Sequence, residues 1–366
     1  MSTSQLSPWL HTQLSTLLSR RGHAWLLQGP SGLGQYNLAL ELARAWLCEN
    51  PTPAGACYQC ASCHSVDVRT HPDLCVLMPE TMALELEWPL DEKSQKEIDD
   101  KKRKPSKEIR VESAREMISF SQHTRSGGHT KVVLVYPAER MNHVTANAIL
   151  KTLEEPPGEC RFILASEAAH ILLPTIRSRC QTHTMVWPDE KGALDWLVAQ
   201  GLPSADAKAT LRAAGGRPED ALQLANTGLK AAQWSGFPFM VSRGQLAALA
   251  DLTPAQAIDR LQKLCHDMLA LHAGATPRFF EVADLHAVIG NARGASSKSS
   301  ALVAPSASSA PAASGSSDAQ RQTSAAIYPL TQWAKDLMEA ARTAQHTYNP
   351  GLMLEALMAQ AQQALR

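Results

Sequence analysis

The sequence predicts an α/β domain followed by an all-α region. Three observations carry this reading. Strand-length apolar runs at 23–28, 132–135 and 161–165 alternate with helical stretches in the first 187 residues, as in a parallel sheet with covered faces. A glycine-rich turn joins the first run to the first of those helices. Beyond residue 188 strand patterns stop, and Ala/Leu-rich helical patterns take over.

In chain order, the run ending at Gln28 leads into Gly29-Pro30-Ser31-Gly32-Leu33-Gly34, then a helix over 37–48. Residues 80–110 interrupt the block with charges and little apolar periodicity. They include Lys101-Lys102-Arg103-Lys104 and read as a solvated, mobile insertion, with a nucleic-acid or partner contact as the alternative. A helix over 146–153 is stopped by Pro156-Pro157. Helix is expected over 188–228, broken by Gly215-Gly216, and again from 229. Residues 294–326 are almost all Ser, Ala, Pro and Gly and read as a flexible linker. Helices return over 328–347 and 352–365, with Asn349-Pro350-Gly351 as the turn between them.

Composition bounds the function. The chain has 366 residues, 44% hydrophobic, enough for real cores and for two or three domains at roughly 150 residues each. Thirty-five Lys+Arg against 35 Asp+Glu give zero net charge, which argues against a protein that coats phosphates by itself. No apolar run approaches the roughly 18–20 residues of a membrane helix, and the first 18 residues do not read as a signal peptide. The expectation is a soluble cytoplasmic protein without membrane partners.

The loop Gly29, Gly32, Gly34, Gln35, Tyr36 has the glycine spacing of a phosphate-binding loop. That chemistry requires a lysine and then a Ser/Thr, for the β- and γ-phosphates and for Mg²⁺. Gln35 carries no charge, and Tyr36 holds its hydroxyl at the far end of a ring. The run 132–135 should be followed by the acidic pair that holds Mg²⁺ and activates water, but Tyr136 and Pro137 follow instead. Productive ATP binding and hydrolysis are not expected. The loop is either a relic or a turn whose glycines serve packing, although its backbone N–H groups retain the capacity to cradle an anion.

Four of the eight cysteines, Cys48, Cys57, Cys60 and Cys63, lie within sixteen residues. In a cytoplasmic chain such clustering points to a metal site, and four thiolates around Zn²⁺ leave no open position, so the site would be structural. Buried structural cysteines and an iron–sulfur cluster are the alternatives. Cys75, Cys160, Cys180 and Cys265 are isolated and read as core residues; His64 and His71 are surplus to the ligand set. Arg177 and Arg179 flank Ser178 after the third apolar run. They are either surface salt-bridging residues or an arginine presented to a neighbour's phosphates.

Together these residues resemble a known family. The run Ala146-Asn147-Ala148-Ile149-Leu150-Lys151-Thr152-Leu153-Glu154-Glu155-Pro156-Pro157, the four-cysteine module and Ser178-Arg179-Cys180 are similar to the bacterial clamp-loader AAA+ subunits. The resemblance implies a RecA-like AAA+ P-loop domain with a zinc module at 1–187, a helical lid at 188–228 and a helical collar at 229–366. It further implies a non-hydrolysing subunit of the DNA polymerase III clamp loader, a part of a DNA-directed DNA polymerase assembly. Its partners would be the motor subunits gamma and tau and the clamp-opening subunit delta, with the sliding clamp and primed DNA reached through the complex. Arg179 would act in trans on a neighbour's ATP, with Arg177 in support. A lid sensor arginine is not carried over, because Glu219 stands at its place and Arg217 is two residues early. The competing reading is a stand-alone zinc-containing nucleic-acid-binding module.

Overall fold

The computed structural model describes residues 6–125, 130–288, 315–343 and 349–365. The chain divides into two compact units, Met1–Trp196 and Leu197–Arg366.

The first unit is built on a parallel five-stranded sheet. Its strands are β1 (Ala24–Gln28), β2 (Leu74–Leu77), β3 (Lys131–Val135), β4 (Cys160–Ser166) and β5 (Gln181–Thr184), in the order β2-β3-β4-β1-β5. The period-2 side-chain alternation sorts each central strand between two cores. Trp25, Leu27, Val132, Leu134, Ile163 and Ala165 face α1 (Pro8–Leu18) and α2 (Gln35–Leu47). Leu26, Val133, Val135, Phe162 and Leu164 pack with the apolar faces of α6 (Val111–Gln122), α7 (His143–Glu154) and α8 (Pro174–Arg177). Burial on both sides explains why these three strands read as continuous apolar runs.

The two outer strands left weaker traces. β5 is Gln-Thr-His-Thr, pairs only with β1 and buries only His183. Its place is fixed from outside: Gln13 of α1 accepts from the Val186 N–H at 2.9 Å, and its Oε1 lies 3.0 Å from His183 Nε2. β2 pairs only with β3 and is four residues long.

The segment 80–110, expected to be mobile, is instead ordered. It holds α4 (Glu80–Glu85) and α5 (Glu92–Asp99), the latter capped by Asp91, whose side chain accepts from the Ser94 N–H. Buried Glu80 organises it. Arg103 donates to both Glu80 oxygens, at 2.5 and 2.8 Å, and its Nε donates to Glu97 at 2.8 Å; the Ser106 N–H also reaches Glu80, at 2.7 Å. The arginine of the basic run is therefore an internal staple, while Lys101, Lys102 and Lys104 are exposed. Burial opposes ionisation of Glu80, but Arg103, the Ser106 N–H and Arg110 outweigh it and hold the carboxyl below its ordinary range.

The second unit is helical. Its elements are α10 (Ser204–Ala213), α11 (Pro218–Asn226), α12 (Ala231–Ser242), α13 (Pro254–His272), a helical stretch at 282–288, α14 (Gly315–Thr343) and α15 (Pro350–Ala364), after α9 (Glu190–Ala199). One apolar cluster runs from Ala213 through Trp234, Phe237, Leu261, Phe280 and Leu337 to Leu365. Trp234 stacks on Phe280 with ring centroids 4.5 Å apart. Asp267, wholly buried, accepts from the N–H groups of Arg278, Phe279 and Phe280 at 2.7–2.9 Å and so pins Phe280 into that stack. Asn349-Pro350-Gly351, expected as a turn, starts α15: Asn349 caps it and Pro350 takes the first turn, where its missing N–H costs nothing. The linker reading needs correction at its end, because 315–326 belong to α14; residues 294–314 lie outside the described residues.

Replacing Asp267 by Ala is expected to destabilise the second unit by about 3 kcal/mol or more, since three buried N–H groups lose their acceptor; chemical denaturation followed by near-UV circular dichroism measures it. Acidification should loosen 80–110 before the sheet. The Glu80 pKa is depressed on folding, so its stabilisation is complete at neutral pH and is lost as pH falls below about 5 and through the folded value. Hydrogen exchange at pH 7 and under acid conditions should show protection dropping there first, and at neutral pH in Arg103→Ala.

Candidate functional site

The three groups of residues singled out by the sequence lie around the sheet of the first unit: the glycine loop and the cysteine module stand at opposite ends of α2, and the arginine pair precedes the N-terminal end of β5. At the first, β1 ends at Gln28 and the loop reaches α2 through Gly34, whose φ of 88° lies in the left-handed region. Gly29 has no room for a side chain, because a Cβ there would stand 2.9 Å from Met185 Cβ. The loop is closed by its own residues. Buried Gln35 turns back and donates to the Gly29 and Pro30 carbonyls at 2.8 and 2.6 Å, while the Gly29 N–H is spent on Ser166 O at 3.2 Å. Trp9 of α1 adds a donor to Leu33 O at 3.4 Å.

The catalytic positions form an aromatic cluster. The Tyr36 and Tyr136 rings lie 5.3 Å apart. Trp88, from the 80–110 segment, donates its indole N–H to the Tyr36 hydroxyl at 2.5 Å, and the Tyr136 hydroxyl donates to Glu167 at 2.8 Å. Burial pushes the Tyr36 phenol above its ordinary range, so it stays protonated at neutral pH. A group meant to hold Mg²⁺ would need the opposite environment. Neither contact is legible from spacing: Trp88 is fifty-two positions from Tyr36, and Gln35 folds back onto its own loop.

The second group is the cysteine module. Cys48 ends α2, Cys60 caps α3 (Ala61–Asp67), and Cys63 lies within α3. The four Sγ atoms all lie within 4.8 Å of one another, with Cys48–Cys60 at 3.9 Å and Cys57–Cys63 at 4.0 Å. A tetrahedron of sulfurs at ~2.3 Å from a metal has edges of ~3.8 Å, so the set fits a four-thiolate ion site. The N–H groups of Gln59 and Cys60 draw the Cys57 thiol down to about 6, while burial pushes Cys63 up. His64 and His71 are not part of the group. The module is tied to α2 by Arg44, which pairs with Asp67 and with Glu41 at 3.2 Å. The Tyr58 hydroxyl donates to Glu41 at 2.7 Å.

The third group is the arginine pair. Arg177 is exposed at the end of α8. Arg179 is held: its Nε and Nη2 donate to Glu154 Oε2 at 3.0 and 2.8 Å, and Nη1 donates to Thr175 O at 3.0 Å. Its partner thus comes from the conspicuous run at the end of α7, a pairing that spacing does not predict. In the second unit Arg217 pairs with Asp220 at 2.5 Å.

A parallel β2-β3-β4-β1-β5 sheet with a glycine-rich loop between β1 and α2 and a four-cysteine module after α2 defines a RecA-like AAA+ domain. Comparison with known proteins gives the family. The family model for "DNA polymerase III, delta subunit" matches residues 5–187. DNA polymerase III subunit delta' of Pseudomonas aeruginosa is 37% identical over 232 residues, 62% of this chain and 63% of that protein. Its Escherichia coli (strain K12) counterpart is 34% identical over 282 residues, 73% and 77% of the two chains. The match to the Pseudomonas protein thus spans less than two thirds of its length. A solved DNA polymerase III gamma subunit-related protein of Thermotoga maritima is 17% identical with a TM-score of 0.42, covering 98% of this chain and 100% of that one. The chain belongs to the DNA polymerase III delta' subunit family.

The cysteine geometry leads to a direct test. Cys60→Ser or Cys63→Ser should lower bound metal, measured by elemental analysis, well below the content of the parent chain. Either change should also lower the melting temperature of the first unit, because the metal's binding free energy is part of the folding free energy.

Proposed function

We propose that this chain is a non-hydrolysing AAA+ subunit of the DNA polymerase III clamp loader, the assembly that opens the ring-shaped sliding clamp and sets it on primed DNA. The observation that carries the reading is the set of side chains at the loop and after β3. Gln35 turns to two loop carbonyls and offers no cation, and Tyr36 and Tyr136 form a ring pair where a short hydroxyl and a carboxylate would be needed. No lysine, Ser/Thr hydroxyl or acidic pair stands at those positions, so the chemistry of phosphoryl transfer lacks its parts. On this reading the chain is not an ATPase by itself and acts inside a DNA polymerase holoenzyme.

Arg179 is the residue assigned to act in trans, at the ATP held by an adjoining motor subunit, gamma or tau; Arg177 supports it. In the isolated chain Arg179 rests on Glu154, with the two side chains 30% and 56% exposed. An exposed pair of this kind contributes about 0–1 kcal/mol, so a triphosphate can displace the carboxylate at little cost. The guanidinium fork suits a phosphate as well as it suits Glu154. Zn²⁺ is the ion assigned to Cys48, Cys57, Cys60 and Cys63, in a structural role with no open coordination position. The delta subunit, the sliding clamp and primed DNA are partners met through the complex. The segment 188–228 serves as lid and 229–366 as collar, the main assembly element. The proposed place of action is the cytoplasm; no helix among the described residues is long and apolar enough to cross a membrane.

A stand-alone nucleic-acid-binding module is disfavoured by the zero net charge and by the internal use of Arg103. The test is reconstitution. Arg179→Ala should fold, retain its metal and assemble. The complex should then hydrolyse ATP more slowly at the adjoining site, where a trans arginine contributes about 10³–10⁵ in rate. Arg179→Lys should be nearly as poor, because an ammonium cannot reproduce the fork. Unaltered hydrolysis and clamp loading would overturn the assignment. Gln35→Lys alone should not confer ATP hydrolysis on the chain, since Tyr36, Tyr136 and Pro137 remain.

A further inference from the structure

The sheet of the first unit has a second end. Its strands are parallel, so the N-terminal edge of β3 and β4 lies opposite the edge where β1 passes into the glycine loop. At that N-terminal edge is a cavity of about 420 Å³, bounded by the C-terminal residues of α6 and by the turn between α7 and β4. Its wall includes Ser121, His123, Arg125, Lys131, Gly158 and Glu159.

Lys131 is the unusual member. It is 5% exposed, yet its ammonium faces no carboxylate at ion-pair distance among the described residues. Its partners are the Phe120 carbonyl, to which Nζ donates at 2.6 Å, and the Phe120 ring, whose centroid lies 4.4 Å away. A carbonyl and a π face compensate a desolvated ammonium only in part, and an ammonium has three N–H donors. The backbone holds the residue in this place: the Lys131 N–H donates to Glu159 O at 3.1 Å, and Lys131 stands in register with Cys160. Lys131 is therefore held on the cavity wall, with its Nζ beside Phe120. Arg125 brings a second cation to the same wall. His123 donates from Nδ1 to Ser119 O at 2.6 Å, which leaves Nε2 as its remaining polar atom. The one acid of the wall, Glu159, is exposed. Gly158, in the turn at the cavity, has a φ of 57°.

We propose that the cavity bounded by Lys131, Arg125 and His123 is a binding site for a phosphate group, separate from the relic loop. A tetrahedral oxyanion supplies the counter-charge that Lys131 lacks and accepts from several donors at once. The volume is within the range of small-molecule sites and admits inorganic phosphate or pyrophosphate. The same chemistry is offered by a backbone phosphate of single-stranded nucleic acid. The inference uses no part of the clamp-loader reading.

The experiment is calorimetric titration of the full chain at constant ionic strength with inorganic phosphate, with pyrophosphate and with a short single-stranded oligonucleotide. Saturable binding is expected for at least one. Binding of the free anions identifies a small-ion site, and binding of the oligonucleotide alone identifies the backbone as the source. Lys131→Met should weaken binding by about tenfold or more, the loss of one charge-assisted hydrogen bond, while Lys131→Arg should retain it. Arg125→Gln, at a position nearer the surface, should also weaken binding and serves as the deciding variant if Lys131→Met does not fold. The proposal is overturned by the absence of saturable heat with all three probes, or by binding that survives both Lys131→Met and Arg125→Gln.

Discussion

The two hydrogen bonds from Gln35 to the Gly29 and Pro30 carbonyls fix the start of α2, and much of the first unit follows from that start. Thirteen residues of helix span about 20 Å. One end of α2 is therefore held at the sheet edge, and the other delivers Cys48 to the cysteine module. Between them, Leu38, Ala39 and Leu42 pack on the sheet, while Glu41 and Arg44 reach Tyr58 and Asp67. The glycine-rich loop here secures the start of a helix.

The same substitution of contacts recurs around the loop. Tyr36 and Tyr136 form a ring pair, and Trp88 completes the cluster from a segment far along the chain. Trp88 can do so because its own segment is ordered by an ion pair at the buried Glu80. Breaking that pair would leave a carboxylate largely out of water, so the charges act as an architectural element and not as a solvated fringe.

Arg179 contrasts with Arg103. Both are paired with glutamate, but Glu80 is buried and Glu154 is more than half exposed. Solvent screening makes the first pair hard to open and the second easy. That difference leaves Arg103 holding its segment together and makes the Arg179 pair the easier of the two to open. Lys131 is a third case, a buried cation whose compensation comes from a carbonyl and a ring alone.

The sequence by itself determined the α/β-then-helical order, the three central strands, the absence of a lysine, a Ser/Thr and an acidic pair at positions 35, 36, 136 and 137, and the clustering of four cysteines. Each is written locally: a strand buried on both faces must be apolar throughout, and Gln35, Tyr36, Tyr136 and Pro137 lack the needed groups wherever they point. The edge strand β5 was hidden because pairing with β1 and a contact from Gln13 hold a polar tetrapeptide in the sheet. The order of 80–110 was hidden as well, since a run of charges reads as solvated until Glu80 and Arg103, twenty-three positions apart, are seen to meet. Tertiary structure alone decided that the empty-looking loop is closed by Gln35, that Trp88 reaches Tyr36, and that Arg179 rests on Glu154. All three are contacts between side chains and distant or back-folded groups, and local sequence preferences carry no information about which of many polar partners a folded chain brings within hydrogen-bond distance.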